Sequence, residues 1–358
     1  MERNARDGPS RIAGVTVPTH NDGPNIGPLL ERLLGEPCVA EVFVVASACS
    51  DETVPTLREL AVRSDGRLRM HVEATRSGKA AAVNLGLSQL TSPFVAVVSG
   101  DVLPAPGAIC RMVDALRAPG VGLAGGRPLP VNPESTFVGH AVHLLWRLHH
   151  RIALETPKIG EAIAMRREAV VALPPDSSVD EPWFQALLQS AGWLPAYVPG
   201  AVIANRGPGT AKDFVKQRRQ VHTGNIWLKH RTGYKVPSLR PLLLMSELGR
   251  DLLGDRGRLR PVRLAWTVGA VAMETWARVG ARANYLRGRE QHVWDMVESA
   301  KAPALGTDGL GLRDGELLEG QGMAPAPAGE HHSEHQLPVQ LQVRDLQCVR
   351  AEGEGTRS

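Results

Sequence analysis

An apolar run, 93-PFVAVVSGDVLPAP-106, delivers a single carboxylate, Asp101, into a proline-studded loop. An aspartate at the tip of a core strand suits a hard divalent cation, Mg²⁺ or Mn²⁺, because such ions take oxygen donors. Upstream, 76-RSGK-79 opens a helical pattern. An arginine, a lysine and the free N–H groups of a helix start together favour an anion such as a phosphate. The string is not a P-loop, since Glu73 stands where its first glycine belongs and Ala80 where its hydroxyl belongs. Downstream, Asp180 and Glu181 precede a second helical run, 183-WFQALLQSAGW-193. Carboxylates there either complement a helix dipole or serve as a general base. The run 217-QRRQVH-222 reads as a basic helix face, and His140, His143, His149 and His150 lack the further spaced ligands a zinc site needs.

These groups are far apart in sequence, so the fold must gather them. From residue 11 short apolar runs alternate with helical patterns: 12-IAGVTVP-18, 39-VAEVFVVAS-47, 68-LRMHVEA-74 and the run ending at Asp101, each but the last followed by a helix. Continuous apolar strands in βα repeats predict an α/β fold with a doubly wound, mostly parallel sheet and helices on both faces. Right-handed crossovers then place every strand-to-helix loop at one sheet edge, so that Asp22, Asp51, Arg76, Lys79 and Asp101 converge. Beyond residue 106 the alternation weakens. Helical patterns cover 137–154, 183–193 and 211–230, with a strand over 196–205. The expected organisation is a flexible N-terminus over 1–10, a catalytic-type domain over 11–230, a helical appendage over 231–300, and a disordered tail over 301–358, which is rich in glycine, proline and charge.

The totals exclude some classes. Of 358 residues, 43% are apolar, enough for a substantial core, and the net charge is +4. Aromatics are only 4%, which leaves no stacking platform and argues against a nucleic-acid partner. Cys38, Cys49, Cys110 and Cys348 show no metal-finger spacing and read as free thiols in a reducing, cytoplasmic setting. The first ten residues contain no apolar core of a secretion signal. The most apolar stretch, 264-LAWTVGAVAMETWARVGA-281, is interrupted by Glu274 and Arg278 and does not read as a membrane span. Its stripe of Leu264, Val268, Val271 and Trp276 is expected to pack on the domain before it, the alternative being peripheral contact of 240–300 with a membrane surface.

Taken in order, the segments from about 12 to 230 resemble family 2 glycosyltransferases of the GT-A fold. The start 15-VTVPTHND-22 is similar to that family's first nucleotide-binding loop, 44-VVASACSDET-53 to its second, and 76-RSGKAAAVNLGL-87 to its R-x-GK-x-x-A-x-N-x-G element. The strand ending at Asp101 resembles the DxD strand, 158-KIGEAIAMRRE-168 the acceptor-side segment, 180-DEPWFQALLQSAGW-193 the base motif, and 217-QRRQVHTG-224 the QxxRW-type motif. The resemblance implies inverting transfer of a sugar from a nucleotide-sugar donor, a UDP-sugar first, to a small-molecule or lipid-linked acceptor. It implies donor contacts from Pro18, Thr19, His20, Asp22, Ser47, Asp51, Arg76, Gly78, Lys79, Asn84, Ser99 and Gly100. Arg166, Gln217 and Arg218 would serve the diphosphate or acceptor side, Asp101 and His222 the divalent cation, and Glu181, or Asp180, the proton.

The chain departs from the pattern at Ser99, where the first acid of DxD belongs, and at Ala46 and Ser47 in the second loop. It also has Asp180–Glu181 for the usual Glu–Asp, and Gln220–Val221 for Arg–Trp, which argues against a processive polymer synthase. Two other classes share parts of this pattern. A sugar nucleotidyltransferase would carry a Gly-rich loop after the first strand, which PTHNDGPN is not, and a degenerate member of the fold would bind the donor without turnover.

Overall fold

The computed structural model describes residues 11–237, 241–253, 261–289 and 299. The expectations for 1–10, for most of 290–300 and for 301–358 fall outside these residues. The first strand, β1 (Ala13–Thr19), is buried along its whole length, as an uninterrupted apolar run in a two-sided sheet should be. It is followed by α1 (Gly23–Gly35), β2 (Val39–Ser47), α2 (Thr53–Arg63), β3 (Leu68–Glu73), α3 (Lys79–Gln89) and β4 (Phe94–Val98). These four strands pair in parallel in the order β3-β2-β1-β4. Ile26 and Leu29 of α1 and Leu57 of α2 share one core cluster, and Val83 and Leu87 of α3 the other, so helices cover both faces.

The second half adds β5 (Val102–Pro104), α4 (Ala108–Ala115), β6 (Val121–Pro130), α5 (Phe137–Glu155), β7 (Ala162–Arg166), α6 (Asp180–Ser190), β8 (Leu194–Asn205), α7 (Ala211–Thr232), α8 (Pro241–Leu253) and α9 (Pro261–Leu286). The sheet order is β3-β2-β1-β4-β7-β6-β8-β5. Four of the seven pairings are parallel; β7 runs antiparallel to both neighbours and β5 antiparallel to β8. The reversal of β7 decides where its residues act. Val98, at the end of β4, faces Ala162, and Phe94, at its start, faces Arg166. The residue before β7, Glu161, therefore stands beside Asp101, while Arg166 lies at the opposite edge. Asn205 joins the Asp101 edge because it pairs with Val102.

Two expectations need correction. Cys38 and Cys110 form a disulfide with their Cα atoms 5.6 Å apart, so they are not free thiols; only Cys49 is free among the described residues. The pairing joins the entry of β2 to α4, a proximity created by tertiary packing that spacing does not reveal. The stripe proposed for α9 is also turned around. Thr267, Ala270, Ala277 and Ala281 are buried, whereas Val268 and Trp276 face solvent. Small side chains bring α9 close against α7 and α5, and Ala141, Val142, Leu144, Phe214 and Ala270 share a third core cluster.

The approach of α3 to β1 depends on a glycine. A Cβ at Gly86 would lie 1.8 Å from Oγ1 and 2.8 Å from Cβ of Thr16, which is fully buried. Gly86→Ala is therefore expected to cost about 1–3 kcal/mol or more through overpacking. Thermal melts should show partial recovery in the double variant with Thr16→Ala, which removes the nearer atom.

Candidate active site

The carboxyl ends of β1 and β4 open on a cavity of about 410 Å³, with the starts of α3 and α6 and one side of α7 in its wall. A site at this edge is what an open α/β sheet provides. The loop after β1 is a knot around Asp22, which is buried: Thr19 Oγ1 donates to Oδ2 at 2.8 Å and the His20 amide at 3.1 Å, while the Asp22 amide donates to Thr53 Oγ1. Asn21 sits at φ 53° within this turn. Gly100 passes so close that a Cβ there would be 2.6 Å from both Asp22 Oδ2 and Thr19 Oγ1. Its amide donates to the Pro18 carbonyl. The tip of β4 is thereby fixed to the tip of β1, which holds Asp101 at the cavity.

Gly78 begins α3 at φ 94°, a conformation open to glycine and costly to other residues. The turn aims Lys79 across the cavity at the first turn of α6, where Nζ lies 3.0 Å from Asp180 Oδ2 and 3.5 Å from Glu181 Oε1. Burial alone would lower the Lys79 pKa, but the charges of Asp180, Glu181 and Glu161 outweigh it and hold the ammonium firmly protonated. Glu181 is pushed up to about 8, by burial first and by Asp180 next, with Lys79 opposing. Glu161 rises to about 7 through burial and the charge of Asp101. Lys158 falls to about 8 because it is desolvated and faces Arg218. The cavity thus holds a cluster of acids whose ionisation is mutually unfavourable, with Lys79 set against them and Lys158 also in the wall.

Of the residues singled out in the sequence, Pro18, Thr19, His20, Asp22, Ser47, Arg76, Gly78, Lys79, Ser99, Gly100, Asp101, Asp180, Glu181, Gln217 and Arg218 line this space. Four predicted residues do not. Asp51 instead accepts the amides of Gly23 and Thr53, anchoring the starts of α1 and α2. Asn84 grips the backbone of Leu173 through both its amide and its carbonyl group. Arg166 donates to the carbonyls of Val121 and Ala118 at the far edge. His222 is turned away, its Nε2 2.7 Å from Glu274 Oε1 on α9. Among the described residues, the one trio of metal-type side chains with ligand atoms mutually within 4.8 Å is Glu36, Cys38 and Cys110, and its sulfurs are joined in the disulfide.

Sequence reasoning missed Glu161, Lys158 and Asn205, all of which line the cavity. Glu161 adopts φ 63°, an uncommon and strained state for a residue with a side chain. Its Oε1 accepts from Asn205 Nδ2 at 3.1 Å. The signal was present in 158-KIGE-161, but the resemblance points to Arg166, at the other end of β7.

The wall formed by α7 is anchored from α9. Glu274 accepts from Arg218 Nε at 2.9 Å and Nη2 at 3.1 Å as well as meeting His222. These side chains are 12–16% exposed, and the Arg218 charge with the hydrogen bonds from His222 and Arg218 holds the Glu274 carboxyl far below its usual range despite burial. Glu274→Gln should destabilise the fold by on the order of 3 kcal/mol, since it leaves a buried arginine without its counter-ion. Urea denaturation measures this.

A pH dependence follows for the metal-free chain. Glu161 and Glu181 have folded pKa values above those of the unfolded chain, so the folded state binds extra protons. Their contribution is complete below about pH 4 and is lost as pH climbs through about 7 to 8. His149 and His150, held low by burial, act in the opposite sense below about pH 6.5. The melting temperature in EDTA is therefore expected to fall between about pH 6.5 and 8, and Glu161→Gln should flatten that fall.

Residues 15–172 match the family model for glycosyl transferase family 2. An N-acetylglucosaminyltransferase of Bradyrhizobium diazoefficiens is 24% identical over 262 residues, covering 66% of this chain and 54% of that protein. The chain thus spans about half the length of this curated relative. Among solved structures, a mannosyltransferase from Pyrobaculum calidifontis in complex with GDP-Man and Mn²⁺ superposes with a TM-score of 0.55 at 21% identity, covering 78% of this chain and 88% of its own. Residues 15–172, which hold nearly all of the parallel β1–β4 half and the aspartate at its edge, thus match family 2 glycosyl transferases, and the fold of the chain is GT-A-like.

Proposed function

We propose that the chain transfers a sugar from a nucleoside-diphosphate sugar, a UDP-sugar first, to an acceptor hydroxyl with inversion. The observation that carries this reading is the placement of Lys79 against Asp180 and Glu181 in a cavity that also contains Asp101. A cation for the diphosphate, an acid for its metal and a carboxylate for the acceptor proton then share one space. The family match supports the reaction class.

In the mechanism we infer, Arg76, Lys79 and the amides opening α3 take the diphosphate, since a helix start with basic side chains favours phosphate. The residues fit a hard divalent ion: Asp101 and Glu161 offer oxygen, and the proton affinity of Glu161 is raised by burial and then by the charge of Asp101, a repulsion that a cation there would offset. Asp101, with Glu161 beside it, would hold Mg²⁺ or Mn²⁺, which when bound neutralises charge developing on the leaving diphosphate. His222 has no part in this set. Asp180 lies nearer Lys79 and is almost fully buried, so it orients the ammonium. Glu181 is the less enclosed of the two, and its raised proton affinity suits abstraction of a proton from the attacking hydroxyl. Displacement at the anomeric carbon in one step then inverts configuration.

Release of nucleoside diphosphate from UDP-Glc, UDP-GlcNAc and GDP-Man, with Mn²⁺ or with EDTA, tests this. We expect release from at least one donor, abolished by EDTA. Donor binding with no release from any donor or acceptor would indicate a binding protein on this fold instead. The acceptor is a small molecule or a lipid-linked one.

A further inference from the structure

We propose that the outer faces of α8 and α9 dock on an anionic lipid bilayer. The exposed apolar side chains of the molecule are concentrated there: Leu242 is 84% exposed, Trp276 65%, Val268 58% and Val279 58%, with Met245 and Leu286 beside them. On α9 the exposed positions Ala265, Val268, Ala272, Thr275, Val279 and Leu286 recur at helical spacing, so they form one stripe with Trp276 at its side. This stripe is opposite the small residues that bury α9 against α7 and α5. Packing within the chain is therefore already satisfied by the other face.

The charges select the partner. Arg250, Arg278, Arg282, Arg287 and Arg289 are exposed around the stripe. The described acids of the two helices are turned inward: Glu247 is bound by Arg147, Arg151 and Arg250, and Glu274 by Arg218, His222 and Arg278, which leaves Arg282, Arg287 and Arg289 as the rim charges without an acid of these helices beside them. Among the described side chains of α8 and α9, no exposed one is acidic. An apolar stripe rimmed by arginines matches an anionic headgroup layer over hydrocarbon. A second copy would bring the same positive rim against itself, which disfavours pairing. No helix among the described residues is long and apolar enough to cross a membrane, so α9 would lie along the surface. This inference does not depend on the transferase reading; if both hold, a lipid-linked acceptor would be presented to the molecule at its own membrane.

The test is co-sedimentation of the full chain with vesicles of phosphatidylcholine mixed with phosphatidylglycerol, and with vesicles of phosphatidylcholine alone. Binding is expected to the mixed vesicles at low salt and to be much weaker to the neutral ones. Arg282→Gln with Arg287→Gln should lower partitioning by about fivefold per charge removed. Val268→Glu with Trp276→Glu should abolish it, while a thermal midpoint near that of the parent confirms an intact fold. Unchanged sedimentation of the folded double-glutamate variant would overturn the proposal. So would a parent chain that ignores the mixed vesicles and runs as a dimer in light scattering, dissociating in that variant, since the face would then serve a second copy.

Discussion

Glu181→Gln is expected to lower kcat by about 10²–10⁴-fold, the usual worth of a positioned general base, with donor affinity retained. The amide keeps the shape and a hydrogen-bonding oxygen but cannot accept the acceptor's proton. Asp180→Asn separates the two carboxylates. It removes the nearer partner of Lys79, so its defect should appear in donor KM as well as in kcat. The pH profile adds a second check. With Glu181 pushed up to about 8, kcat/KM in the parent should rise with pH toward that value, because the base works deprotonated. A bound divalent ion would pull the inflection of kcat lower, and the anionic diphosphate of the donor opposes it. A Glu181→Gln enzyme turning over at the parental rate would remove this residue from the chemistry.

Lys79→Met should have an effect of similar size through a different route. The ammonium is held among Asp180, Glu181 and Glu161, whose charges override the cost of burying it. Its loss leaves those carboxyls facing one another without a counter-charge, so they take up protons instead. Donor binding then loses its phosphate cation and the base its ionised form. We expect both a raised donor KM and a kcat depressed at neutral pH, the latter partly recovered in alkaline buffer. Lys79→Arg should restore the charge but not the fit, because a guanidinium is planar and broader than an ammonium. Parental kinetics in Lys79→Met would show that the lysine only braces α6.

The parallel half of the fold was legible because β1, β2 and β4 are largely buried and read as mostly apolar runs, while Gly and Pro mark the turns beside them. That reading alone brings Thr19, Lys79 and Asp101 to one edge. The second half was less legible since β7, at five residues, carries no mark of its direction. Motif resemblance offers Arg166 to the site; the direction in which β7 runs offers Glu161 instead. This chain lacks an acid at Ser99, and Glu161 brings one to the same edge from another strand. The inner face of α9 was misjudged for a related reason. Its two sides are both rich in apolar residues, so periodicity finds stripes without saying which is buried, and the smaller side chains face inward. Motif position alone points to Asp51 and Asn84 as donor contacts, yet each fixes backbone beside the cleft.

Transfer by this chain requires one cleft to take a nucleoside diphosphate together with a divalent ion at Asp101. Calorimetric titration of UDP into the parent and into Asp101→Asn, with Mn²⁺ and with EDTA, measures that coupling directly. In the parent, Mn²⁺ should tighten UDP binding by a factor of about 5–150, the ordinary range for coupled ligands, and Asp101→Asn should erase the difference. UDP affinity that is the same with Mn²⁺ and EDTA in the parent, or a metal effect that survives intact in Asp101→Asn, would contradict it.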